Sequence, residues 1–181
     1  ADAGVINGFS GNNMFTYKYS HESGLNLTVS YINASDAVTD VSYSDAGITY
    51  TGMDGLTLGY GEGDVENVTN TKSNESTMFA KYAIGAATVG IQVSEKDMET
   101  GTDTESTGIG VSYQVNDDLT VSYGTNTLES GTSPDQDSTA VGISYTMGSL
   151  GISFSMNQVD NVNNTASDDR EGYQMVLTFA F

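Results

Sequence analysis

The last ten residues read "GYQMVLTFAF" (172–181). Tyr173, Met175, Leu177, Phe179 and Phe181 take every second place, with Gly172, Gln174, Val176, Thr178 and Ala180 between them. A side-chain period of two is that of a β-strand. This strand has one aromatic and aliphatic face, yet the protein it ends is polar and acidic. The sequence holds 24 Asp plus Glu against 5 Lys plus Arg, a formal charge of −19. Such a face needs something apolar to meet.

The same alternation runs through the chain. Leu25, Leu27, Val29 and Tyr31 alternate with Asn26, Thr28 and Ser30, and Val89, Ile91 and Val93 with Thr88, Gly90 and Gln92. Ile109, Val111, Tyr113 and Val115 follow, then Leu119, Val121 and Tyr123, then Val141, Ile143, Tyr145 and Met147, then Leu150, Ile152, Phe154 and Met156. The pattern predicts eleven strands near 12–21, 25–34, 42–52, 56–64, 75–84, 87–96, 106–115, 119–129, 138–147, 150–159 and 171–181. No stretch keeps apolar residues at helical spacing, and Thr, Ser, Val, Ile, Tyr and Gly dominate, as strands and tight turns require. No apolar run reaches the length of a membrane-spanning helix, and no signal peptide opens the chain.

Composition excludes several functions. With no cysteine, disulfide frameworks, zinc–thiolate sites and thiol nucleophiles are out. The charge argues against nucleic acid as a partner, because phosphate binding needs a basic surface.

The connections alternate in length. Those at 21–24, 52–55, 84–87, 115–118 and 147–149 are tight; those at 35–41, 65–74, 97–105, 130–137 and 160–170 are long and polar. Tyr19, Tyr50, Tyr82, Tyr113 and Tyr145 each stand shortly before a tight turn, while Tyr31, Tyr60, Tyr123 and Phe154 lie toward the long connections. A soluble sandwich has strands of about five or six residues and one shared core, and a solenoid repeats with turns of one kind. An antiparallel up-and-down transmembrane β-barrel accounts for all of it: long strands apolar on one side and Ser, Thr, Gly and Gln on the other, short turns at one rim, long loops at the other, and aromatic girdles between.

The terminal phenylalanine with apolar residues at alternate places before it, together with "MFAKYAIGAATVGIQVS" (78–94) and "TGIGVSYQVNDDLTVSYG" (107–124), resembles bacterial outer-membrane barrels, and more narrowly the general diffusion porins of alphaproteobacteria. The resemblance implies a multi-pass protein of the bacterial outer membrane, a homotrimer of 16-stranded barrels, set in lipid and lipopolysaccharide. It implies that Tyr173, Phe179 and Phe181 form the signal read by the barrel-insertion machinery. Such barrels have an even strand number and both termini periplasmic. Eleven strands ending at the periplasm leave Ala1 outside, so the chain reads as the C-terminal part of a longer porin. Residues 1–11 are then the possible tail of an infolded constriction loop, and residues 12–181 form consecutive barrel strands in a single domain.

Candidate site residues follow from strand parity. Thr16, Lys18, Lys81, Gln92, Gln114, Thr120, Ser144 and Asn157 take the polar parity and are expected to line a pore. Lys18 and Lys81 are expected to be the only wall cations of the segment; the arginine cluster usual in the family is missing. Most acids sit in or beside the long connections, and Asp64, Glu66, Asp97, Glu99, Asp103, Asp135, Asp137, Asp168 and Asp169 are expected to make an acidic mouth that concentrates cations. Ca2+ or Mg2+ held loosely there is conceivable, but no calcium motif occurs and no cofactor is expected. The single histidine, His21, falls in a tight turn, and neither G-x-S-x-G nor a P-loop is present, so no enzyme is expected. Two functions stay open: a water-filled, cation-preferring channel for small hydrophilic solutes, or a structural, adhesin or surface-binding role carried by the acidic loops.

Overall fold

The computed structural model describes residues 14–32, 42–66 and 72–179. They form eleven strands: β1 (Met14–Ser20), β2 (Leu25–Ile32), β3 (Ser42–Tyr50), β4 (Leu56–Glu66), β5 (Lys72–Ile84), β6 (Ala87–Met98), β7 (Thr104–Gln114), β8 (Leu119–Ser130), β9 (Gln136–Met147), β10 (Leu150–Asp160) and β11 (Arg170–Phe179), with a 3-10 turn at Val162–Asn164. The strands follow one another in chain order, each bonded to its sequence neighbours, so the sheet is a meander. β1 and β11 stand at opposite ends of that order. The expected loop tail at 1–11, the start of the first strand and Phe181 lie outside the described residues.

The chain divides into two compact units, residues 1–80 with 92–105 and residues 81–91 with 106–181. In the first, antiparallel pairing aligns Tyr19, Leu27, Ile48 and Tyr60 in one row across β1–β4, and Lys18, Thr28, Gly47 and Gly61 in the row beside it on the other face. In the second, Val121, Ile143, Phe154 and Met175 form an apolar row across β8–β11, next to Ser122, Gly142, Ser155 and Gln174. Because the period is two, a slip of one residue would turn every apolar side chain to the wrong face.

Among the described residues neither unit has an apolar core: no apolar side chain is buried, and Ser73 is the one buried polar residue. Leu27 and Val29, which a sandwich would bury, are 37% and 47% exposed, and Tyr173 and Met175 are both 67% exposed. A sheet of this size with apolar rows uncovered needs an apolar solvent on that side.

The tight turns use glycine where the backbone demands it. Gly85–Ala86 and Gly148–Ser149 each close a two-residue hairpin, with φ of 57° and 59° at the glycine. A positive φ at the first central place is the need of a type II′ turn, whose twist suits the flanking strands. After the first, the long connections are shorter than the sequence suggested, whereas β2 ends at Ile32, before the expected 34. β4 runs to Glu66, β5 starts at Lys72, β6 runs to Met98 and β9 starts at Gln136. Pairing outlasts the apolar alternation because polar residues such as Ser42 and Glu66 keep the backbone ladder going where hydrophobicity no longer marks it.

Face assignment makes a sharp test. Ile143→Lys should destabilise the folded protein in lipid by about 2–4 kcal/mol, the cost of a lysine on a barrel's lipid face near the midplane. Ser144→Lys, one residue on, should cost far less. Equilibrium unfolding from lipid vesicles measures both, and equal costs would mean the faces are misassigned.

Candidate functional site

The face opposite the apolar rows is built from small polar side chains. In β1 and β2, Thr16 donates to Ser30 Oγ (3.4 Å), and Lys18 stands across from Thr28. Neither Lys18 nor Lys81 makes an ion pair or hydrogen bond among the described residues. In β5 and β6, Thr77 and Ser94 hydroxyls meet at 2.8 Å, and Gln92 Nε2 donates to both, at 3.3 and 3.1 Å. Lys96 and Glu75 pair at 2.7 Å on the same face. In the second unit, Thr120 stands across from Ser144, and Asn157 across from Ala140. Thr120, Ser122, Ser144, Ser153, Ser155 and Gln174 line a shallow depression of about 160 Å3. Gln114 closes β7, its backbone N–H donating to Ala86 O at 2.8 Å.

Charge is sorted between the two faces. Beyond the apolar residues, on their own side of each strand, stand Glu62, Asp64 and Glu66 of β4, Glu95 and Asp97 of β6, Glu105 of β7, Glu129 of β8, Asp137 of β9, Asp160 of β10 and Glu171 of β11. The polar face of the strands carries only Asp45 and Glu75, against Lys18, Lys81, Lys96 and Arg170. Lys72 is the cation on the acidic side, 3.8 Å from Glu66. Tyr60, at the top of its apolar file, donates its hydroxyl to Glu62 at 2.8 Å. An aromatic ring capped by a polar contact is what a membrane–water boundary favours.

Of the nine acids expected at the mouth, Asp64, Glu66, Asp97 and Asp137 therefore stand on strands, on the side of the apolar rows. Glu99, Asp103, Asp135, Asp168 and Asp169 stand in the connections. Several do local work there. Asp103 accepts the Met98 N–H (2.7 Å), Glu99 accepts the Lys72 N–H (3.0 Å), and Asp169 accepts the Asn161 N–H (3.0 Å). Asp168 pairs with Arg170 at 3.1 Å. Among the described residues no three His, Asp or Glu side chains gather as metal ligands.

The connection at 161–169 is tied down by asparagines. Asn161, Asn163 and Asn164 adopt φ of 53°, 55° and 56°, a region asparagine enters more easily than most residues. Asn164 Nδ2 donates to Leu128 O and Pro134 O, both at 2.9 Å, and Asn161 Nδ2 to Asp135 O at 2.9 Å. Loop 161–169 is thereby fastened to the β8–β9 connection. His21 Nδ1 lies 2.9 Å from Ser23 Oγ and accepts the Ser23 N–H, which makes it part of the turn.

The two-solvent sheet, the alternation of tight and long connections, and the aromatic files match known proteins. A model of Gram-negative porins matches residues 1–181. The chain belongs to the Gram-negative porin family. No curated protein matches it in sequence. Among solved structures it is similar to an anion-selective porin from Comamonas acidovorans, with TM-score 0.78 and 17% identity over 94% of this chain and 60% of that one. A refined porin structure aligns with TM-score 0.76 and 16% identity, over 92% of this chain and 60% of that one. OmpT, an outer membrane protein of Vibrio cholerae, aligns with TM-score 0.67 and 16% identity, over 93% of this chain and 64% of that one. At such identities the likeness is one of fold. The chain thus spans about 60% of the length of the porins it matches first. Family and fold place this porin in the outer membrane.

Sequence reasoning missed one feature of this face. Phe79 shares it with Thr77 and Glu75, and its ring lies against Gly59 of β4. Continuing the parity of Lys81 back along β5 would have found it.

Asn164→Ala removes two hydrogen bonds and leaves alanine in a left-handed conformation. It should loosen 131–135 and 161–169 by about 1–3 kcal/mol. Amide exchange should quicken in those segments and stay unchanged in β8–β10; uniform exchange would show that the asparagine tie is incidental.

Proposed function

We propose that this porin forms a water-filled channel for passive diffusion of small hydrophilic solutes and ions. The observation that carries the proposal is the division of each strand into an uncovered apolar file and a file of hydroxyls, amides and glycines. One side suits hydrocarbon and the other suits water, which is what a wet barrel needs. The lone histidine, His21, is held within a tight turn by Ser23. Membership of the porin family and the porin fold support the same reading.

In this reading Thr16, Lys18, Lys81, Gln92, Gln114, Thr120, Ser144 and Asn157 line the lumen. β1 and β11 need further strands between them, since an unpaired edge in lipid leaves backbone groups unsatisfied at several kcal/mol each. The complete protein then assembles as a trimer in lipid and lipopolysaccharide, and Tyr173, Phe179 and Phe181 guide its insertion. Ca2+ or Mg2+ binds the acidic rim loosely. Ion preference is for cations and weak. The acids that reach the water path are those of the connections, with Asp45 and Glu75, and four wall cations oppose them.

Reversal potential across a planar bilayer in a salt gradient tests this. Glu99→Gln with Asp103→Asn and Asp135→Asn should reduce cation preference. Glu62→Gln with Glu95→Gln and Glu105→Gln should leave it nearly unchanged, although it removes as much charge. The wild-type preference should fade toward 1 M salt, where the Debye length falls to about 3 Å. No conductance at all would favour the surface-binding role, and an equal effect of the two triple variants would refute the division of charge.

A further inference from the structure

Phe79 is an aromatic residue on the water-facing side of β5. It sits in file with Glu75 and Thr77, opposite in parity to the apolar Met78, Tyr82 and Ile84. A serine or threonine, as elsewhere on this face, would serve the strand without leaving aromatic surface half-exposed. The ring is seated rather than stray: it occupies the space that a Cβ at Gly59 would fill. Glycine there lets the ring lie along the wall of β4.

Polar groups converge beside it. The Glu75–Lys96 pair and the Thr77–Ser94 contact step along β5 and β6 two residues at a time in opposite directions. Continued once more, that register sets Gln92 across from Phe79. Gln92 already donates to Thr77 Oγ1 and Ser94 Oγ, so amide, hydroxyls and ring form one patch. At one end of the patch Glu75 and Lys96 neutralise each other at 2.7 Å, and Lys81 stands two residues beyond Phe79 in the same file of β5.

We propose that Phe79, Gln92, Thr77 and Ser94 form a subsite for a neutral polyhydroxylated solute, a sugar ring in chemical class. The C–H face of such a ring packs on the aromatic face, and its hydroxyls exchange hydrogen bonds with the amide and hydroxyls. A purely apolar solute would strand the Gln92 amide. Pockets that combine an aromatic surface with a few placed polar groups are the common form of small-molecule sites. The subsite rests on the reading of this face as the wall of a channel.

The test is sugar-dependent current through the full chain in planar bilayers. Wild-type channels should conduct, and added glucose or maltose should reduce the current in a saturable way. Phe79→Ala should raise the half-saturating concentration by about tenfold, equivalent to 1.4 kcal/mol, with open-channel conductance retained. Phe79→Tyr should keep the block. Gly59→Ala, which displaces the ring but leaves it in the chain, should weaken it. A current that falls only in proportion to solution viscosity would overturn the subsite while leaving the channel intact. So would an unchanged block in Phe79→Ala, or block by glucuronate and not by glucose. Absence of conductance in the wild type would overturn the channel reading itself.

Discussion

Every peptide group that enters hydrocarbon must find its hydrogen-bond partner within the protein, because lipid offers none, and each failure costs several kcal/mol. A meander answers that demand by pairing each strand with the next. Once the backbone is held this way, side chains alternate between two surroundings. No third layer is needed: among the described residues the apolar side chains stand uncovered on one side and the hydroxyls on the other. Stability then comes from the ladder and from transfer of the apolar rows into lipid, at roughly 25 cal/mol per Å2 of apolar surface removed from water. The same demand explains the turns, since Gly85 and Gly148 reverse the chain in two residues and let neighbouring strands stay paired to their ends.

Alternation also governs the charge. A net −19 suggests a protein that attracts cations everywhere. The strand registers divide that charge instead. Ten strand carboxylates share the side of the apolar rows, above the Tyr60 level in β4, while four of the five basic residues face the opposite way. Field inside a pore depends on charges that line it and not on the total. On the proposed channel reading, net charge is therefore a poor guide to ion preference, and the acids of the connections weigh more than their number suggests.

Much of this was legible in sequence. Strict alternation located all eleven strands, the spacing between them marked which connections are tight, and the terminal strand pointed to an apolar surround. Strand ends were less legible, because β4 and β9 continue through Glu66 and from Gln136 on polar residues that carry no hydrophobic signal. The side taken by Asp64 or Asp97 was implicit in parity, but only once the strands were known to extend that far. Two features depend on neighbours that sequence does not name. Phe79 is tolerated because Gly59 lies on the adjacent strand, and the loop at 161–169 is held by Asn164 reaching across to Leu128 and Pro134. Periodicity along one strand is silent about both.

The absence of cysteine allows the two faces to be read directly. Single cysteines placed one at a time from Leu150 to Asp160 in the membrane-inserted protein can be treated with a charged, membrane-impermeant thiol reagent. Cysteines at Gly151, Ser153, Ser155 and Asn157 should label rapidly, and those at Ile152, Phe154 and Met156 should be protected and instead meet a quencher carried on lipid tails. Labelling at every position, or protection at the serine positions with reaction at the apolar ones, would contradict a wall with lipid on one side and water on the other.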